Sequence, residues 1–159
     1  MTTPSSVYDK SSLVSQLKIE TDALRAFISL LEKEQQVLLS QDSDALLMMA
    51  EAKSQAAHKL TVIATARRTL LNLDAENSSM TRWVQQFDPD IKGAWDEILA
   101  LAALAHQLNQ TNGEVIQLKL RSNQKALSVL LGAAQDAAGL YGRDGQPNLP
   151  ISGRTLGNV

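Results

Sequence analysis

Two consecutive apolar stripes at helical spacing, each broken twice by charge, constrain this chain more than any other feature. In the first, steps of four and three give Leu13, Leu17, Glu20, Leu24, Phe27, Leu31, Glu34 and Leu38, the spacing of a helix laid against a partner helix. It predicts a helix from about Lys10 to Leu39. In the second, the same steps give Leu46, Ala50, Lys53, Ala57, Leu60, Ala64, Arg67 and Leu71. Gln41-Asp42-Ser43 makes a short polar link, and Asp42 or Ser43 can cap the second helix by accepting from its free N–H groups. In an antiparallel hairpin both helices rise equally per residue, so facing positions share an index sum, here about 87 or 88. That sum pairs Leu31 with Ala57, Phe27 with Leu60, Leu24 with Ala64 and Leu17 with Leu71. It also sets Glu34 beside Lys53 and Glu20 beside Arg67. The alternative is that four long side chains snorkel separately to water. Two opposite-charge matches in one register favour pairing.

The rest of the chain adds a longer helix. After the polar break Asp74 to Ser79, Ser78 or Ser79 can start a short helix carrying Trp83, Val84 and Phe87. Asp88 then caps and Pro89 takes a first helical position, where its missing N–H is not needed. A third stripe follows: Ile91, Trp95, Ile98, Ala102, Ala105, Asn109, Asn112, Ile116, Leu120, Asn123, Leu127 and Leu130. Its periodicity survives to about Ala138, and Gly139 and Gly142 supply a stop. As one piece this helix would be about 75 Å long, against about 45 Å for each of the first two. Either it overhangs the hairpin or it breaks at Asn112-Gly113 and folds back. Asn-Gly ends helices well, yet no polar loop follows and the same stripe resumes, which favours overhang. The fold class is therefore all-α: an antiparallel helical hairpin plus a long third helix, a coiled-coil-like bundle. One helical domain spans 1–146, and a flexible C-terminal tail of proline, glycine and asparagine with scattered apolar residues spans 147–159.

Composition closes off several functions. Aromatics are 4% of the 159 residues, so the core must be Leu, Ile, Val and Ala, as packed helices use. Cysteine is absent, which excludes disulfides and thiolate metal sites and is compatible with a reducing compartment. A formal net charge of −2 offers no footprint for nucleic acid. No apolar run approaches the ~20 residues of a membrane span, and Met1 to Ser12 lack a signal-peptide core. The chain is expected to be soluble and cytoplasmic.

No catalytic constellation emerges, and neither a metal nor another cofactor is expected. His58 and His106 form no Glu-x-x-His or His-x-x-x-His spacing. The glycines open no phosphate-binding helix. The candidate site is for binding instead. Asn109 and Asn112 read as seam residues that fix register by hydrogen bonding between helices. Further along, Leu127, Val129, Leu130, Leu131 and Leu140, with five alanines, make a helix apolar on more than one face. Little chain remains to cover it, so an uncovered apolar face marks a partner surface. The candidate partner-binding residues are Ile116, Leu120, Asn123, Leu127, Leu130, Leu131 and Leu140. Self-association as a homodimer, or packing by the tail, are the rival explanations. Tyr141-Gly142-Arg143-Asp144-Gly145 reads as a turn, with Gly142 and Gly145 for positive φ and Asp144 for a local side-chain bond.

The order Leu108-Asn109-Gln110-Thr111-Asn112-Gly113, then Asn123-Gln124-Lys125-Ala126-Leu127, then Leu140-Tyr141-Gly142-Arg143-Asp144-Gly145-Gln146, with Trp95 upstream, closely resembles the flagellar export chaperones of the FlgN family. The likeness is strongest from Trp95 to Gln146. It implies a continuous long helix, and a chaperone that carries hook–filament junction proteins to the type III export gate by holding their C-terminal helical segments. It also implies that Tyr141 contributes to docking on the gate's cytoplasmic domain.

Overall fold

The computed structural model describes residues 9–40, 42–71, 73 and 79–140, without the side chains of Phe87 and of Ala137 to Leu140. Among these, all regular structure is helical: α1 Lys10–Ser40, α2 Ser43–Leu70, α3 Met80–Phe87, a 3-10 turn Pro89–Ile91, and α4 Lys92–Leu140. The chain divides into two compact units, Met1–Val115 and Ile116–Val159. The expected boundary at residue 146 and the tail beyond it lie outside the described residues.

The helix starts of the first unit follow from local chemistry. Asp9 accepts from the Ser11 amide at 3.1 Å and the Ser12 hydroxyl at 2.6 Å, occupying a donor that an opening turn leaves free. The Ser12 bond, ahead of the Ser11 amide, holds the Asp9 carboxyl below its usual range. Asp42 caps α2 through Oδ1, which accepts from the Ala45 amide at 3.0 Å. Arg67 and Arg68 occupy the last turn of α2, where cations suit the negative end of the helix dipole.

The hairpin has the predicted register. Lys53 Nζ lies 3.0 Å from Glu34 Oε2. Arg67 meets Glu20 with two bonds, Nε to Oε2 at 2.6 Å and Nη2 to Oε1 at 3.2 Å. One index rises as the other falls, so α1 and α2 run antiparallel. On α1 the stripe is buried as spaced, with Ile28 buried beside a half-buried Phe27. On α2 the expected stripe needs correction. Ala50 and Ala57 are exposed, and Met49, Ala56 and Ile63 turn inward beside Leu46, Lys53, Leu60 and Arg67. The facing of Leu31 and Ala57 therefore fails while both ion pairs hold. Larger Met and Ile side chains gain more from leaving water than alanines do, and they decide which flank of the seam turns in.

The same correction applies to α4. Trp95, Ile98, Ala105 and Asn112 are buried, as is Ile91 just before the helix, but Ala102 and Asn109 are exposed. Leu101 and Leu108 take their places, packed against Ile28, Leu31 and Ala105. Trp95 and Ile98 join Leu13, Leu17, Leu24 and Leu71 in a second cluster, which α3 covers with Met80 and Val84. Asp88, expected as a cap, makes no side-chain cap bond. It accepts from Lys10 Nζ at 3.2 Å instead, and Asp90 accepts from the same ammonium at 3.1 Å. The Asp90 and Asp88 bonds raise the Lys10 pKa above its ordinary value. That contribution is complete at neutral pH and is lost only as pH rises through the raised value.

α4 passes Asn112-Gly113 without a break. Asn112 is fully buried and spends both amide hydrogens on α1, at 2.9 Å to the Leu31 carbonyl and 2.7 Å to Glu34 Oε2. A Cβ added at Gly113 would meet nothing within 4 Å. Gly113→Ala is therefore expected to raise the unfolding free energy by up to about 1 kcal/mol through helix propensity, measured by urea denaturation. Arg67→Met should cost about 3–5 kcal/mol, because it leaves Glu20 charged, buried and unpaired. Adding Glu20→Leu should recover most of that loss. A single variant as stable as the parent would show that the pair does not constrain the fold.

Candidate partner-binding site

From Ile116 onward the helix pattern continues but burial does not: no described side chain from Ile116 to Asp136 is buried. At about 100° per residue, Ile116, Leu120, Asn123, Leu127, Leu130 and Leu131 share one arc of about 100°, the width a globular helix ordinarily turns to a core. Their large apolar members are 38 to 67% exposed. Asn123 is the polar residue of the set, so these six positions carry no charge. Beside them, Gln124, Leu127, Ser128, Leu131, Gly132 and Gln135 outline a shallow depression. Gly132 contributes no side chain there, and a Cβ added to it would touch nothing within 4 Å. The result is an apolar strip with a polar, uncharged rim.

The structure thus brings together six of the seven expected contact residues on one helix face. Leu140 closes α4, but its side chain lies outside the described residues, as do Tyr141, Gly142, Asp144 and Gly145 entirely. Asn112 and Asn123 separate cleanly: the first is spent inside the first unit, and the second is exposed. Asn109 is exposed and takes no part in the seam.

Other chemistry finds no support among the described residues. Both histidines are exposed, and no group of three His, Asp or Glu side chains could hold a metal ion. No described helix is long and apolar enough to cross a membrane. What the strip can do is bury the apolar face of another chain. The periodicity passed over two further exposed sets: Leu118 with Val129 elsewhere on α4, and Leu39, Leu47 and Met48 near the hairpin turn.

The family model described as FlgN protein matches residues 8–148, across both units. The chain belongs to the FlgN family. No curated protein and no solved structure matches it. FlgN membership gives the chain the general role of a flagellar export chaperone that binds export substrates. It also gives the uncovered strip a reason, since a chaperone's substrate surface is open while unladen. The FlgN strip should then be dispensable for folding. Leu127→Ser combined with Leu130→Ser is expected to change the unfolding free energy by no more than about 0.5 kcal/mol. A loss of several kcal/mol in urea denaturation would place these leucines in the folding core.

Proposed function

We propose that the chain escorts flagellar hook–filament junction proteins in the cytoplasm and hands them to the export gate. The observation that supports this most is the uncovered apolar strip on α4 in a member of an export-chaperone family. The C-terminal segment of a junction protein would lie along Ile116, Leu120, Leu127, Leu130 and Leu131 as an amphipathic helix, the helix-in-groove mode. Each leucine fully withdrawn from water contributes about 1.5–3 kcal/mol, offset by the ordering of the segment and the loss of rigid-body freedom. Asn123 would supply a directional hydrogen bond in an otherwise apolar contact. Covering the cargo's helix keeps it from assembling before export. The action is passive and consumes no nucleotide.

Delivery falls to the segment after α4. Tyr141 would touch the cytoplasmic domain of the gate, set in a turn made by Gly142, Asp144 and Gly145. Tyrosine suits this because it joins apolar area to a hydrogen-bonding tip at low entropy cost. The single domain 1–146 would do the holding and the tail from 147 would stay free for partners.

Calorimetric titration of the full chain with a junction-protein C-terminal peptide tests the escort. Binding with a negative heat-capacity change is expected, weakened at least about tenfold, or 1.4 kcal/mol, by Leu127→Ser with Leu130→Ser. Tyr141→Ala should leave that affinity unchanged and abolish capture by the gate domain. Loss in both assays would make Tyr141 structural. Absence of peptide binding, with the strip instead driving self-association, would favour the rival scaffold reading.

A further inference from the structure

α2 opens with a stripe that the hairpin core does not use. Asp44, Leu47, Met48 and Glu51 stand at i, i+3, i+4 and i+7, one face of a helix. All four are exposed, Leu47 at 74% and Met48 at 71%. From Gln35 to Ala52 the chain carries Asp42, Asp44 and Glu51 and no lysine or arginine. The surface is apolar at its centre and acidic at both ends. A face that fits it must set exposed apolar groups beside cations.

Such a face lies on this chain. Leu118, Arg121, Lys125 and Val129 follow steps of three, four and four along α4, and all are exposed, Leu118 and Val129 each at 64%. From Ile116 to Leu140 the basic residues Lys119, Arg121 and Lys125 stand against Asp136 alone. Asp44, Arg121 and Lys125 form no ion pair among the described residues. At about 100° per residue this face points roughly opposite to the strip of Leu120, Leu127 and Leu130.

We propose that two copies of this chain associate by docking the Asp44–Leu47–Met48–Glu51 face of one copy against the Leu118–Arg121–Lys125–Val129 face of the other. The apolar residues supply the burial and the charges set the orientation, because exposed ion pairs alone contribute little. Met48 suits a contact of this kind, its unbranched thioether adapting to an irregular surface. The arrangement leaves the strip for an export substrate open, so a self-associated chaperone remains able to bind cargo. It does not rest on the identity of that cargo.

The test is the mass of the full chain by light scattering and sedimentation over a range of concentrations, without cargo. The parent should rise above the 17.3 kDa of one chain, less so at about 1 M salt than at about 0.1 M, as the screening length shortens. Asp44→Lys with Glu51→Lys, and separately Arg121→Glu with Lys125→Glu, should each weaken association at least tenfold. Mixing the two reversed proteins should restore it, which a misfolded variant could not do. Leu127→Ser with Leu130→Ser should leave association unchanged. A parent that stays at the mass of one chain, or reversed variants that associate as strongly as the parent, would overturn the proposal. So would association abolished by the Leu127 and Leu130 changes, which would put the contact on the strip itself.

Discussion

A single buried carboxylate, that of Glu34, holds three helices at one level. Its side chain is 5% exposed, and an ion so placed costs several kcal/mol unless its oxygens are met. Lys53 of α2 donates to both oxygens, and Asn112 of α4 donates to one while its other hydrogen goes to the Leu31 carbonyl. Sliding any of these helices by a turn would strand the charge. The layer has its own cost, because Asn112 Oδ1 meets no donor and a buried acceptor without one is destabilising. That suits a device for alignment better than one for stability, as polar residues at helix seams often act.

A second polar layer repeats the arrangement toward the other end of the hairpin. Glu20 takes Arg67 through two bonds, and the Arg67 guanidinium lies 4.6 Å from the centre of the Trp95 ring. Trp95 in turn donates to Thr81 at 2.9 Å, just inside α3. One layer therefore ties α1, α2, α3 and the start of α4, and the other ties α1, α2 and Asn112. Between them lie the leucines and isoleucines that supply most of the burial. With the register of α4 fixed through Asn112, every large apolar residue the first unit needs from that helix has been used. The apolar residues that continue past Val115 are surplus to it, and surplus apolar surface is what an export chaperone offers to a substrate.

Charge was the most informative signal in the sequence because it is costly to misplace. The pairs Glu20–Arg67 and Glu34–Lys53 fixed register, direction and contact before any coordinates, since only one alignment satisfies both. Alanine was the least informative. Ala50, Ala57, Ala102 and Asn109 fitted the spacing yet face water, because Met49, Ile63, Leu101 and Leu108 compete for the same seam with more area to bury. Asn112 could be read as a register residue, but its partner could not, since a contact 78 residues distant in the chain leaves no local trace. Asp88 looked like a cap for the same reason: nothing near it in sequence announces Lys10. On the candidate site, the strip from Ile116 to Leu131 was legible as periodicity, while its exposure required knowing which residues the first unit consumes. The acidic stripe at the start of α2 was visible as spacing and passed over, because attention to the seam hides the opposite face.

The central claim is that α4 serves two purposes along its length, structural up to Asn112 and open to a partner from Ile116. Amide hydrogen exchange, resolved along α4 in the full chain with and without a junction-protein C-terminal peptide, tests this most directly, because protection reports local opening. The account predicts strong protection from Trp95 to Asn112 in both states, and fast exchange from Ile116 to Asp136 that slows when peptide is added. Equal protection of both stretches in the free chain, or protection unchanged by the peptide, would contradict it.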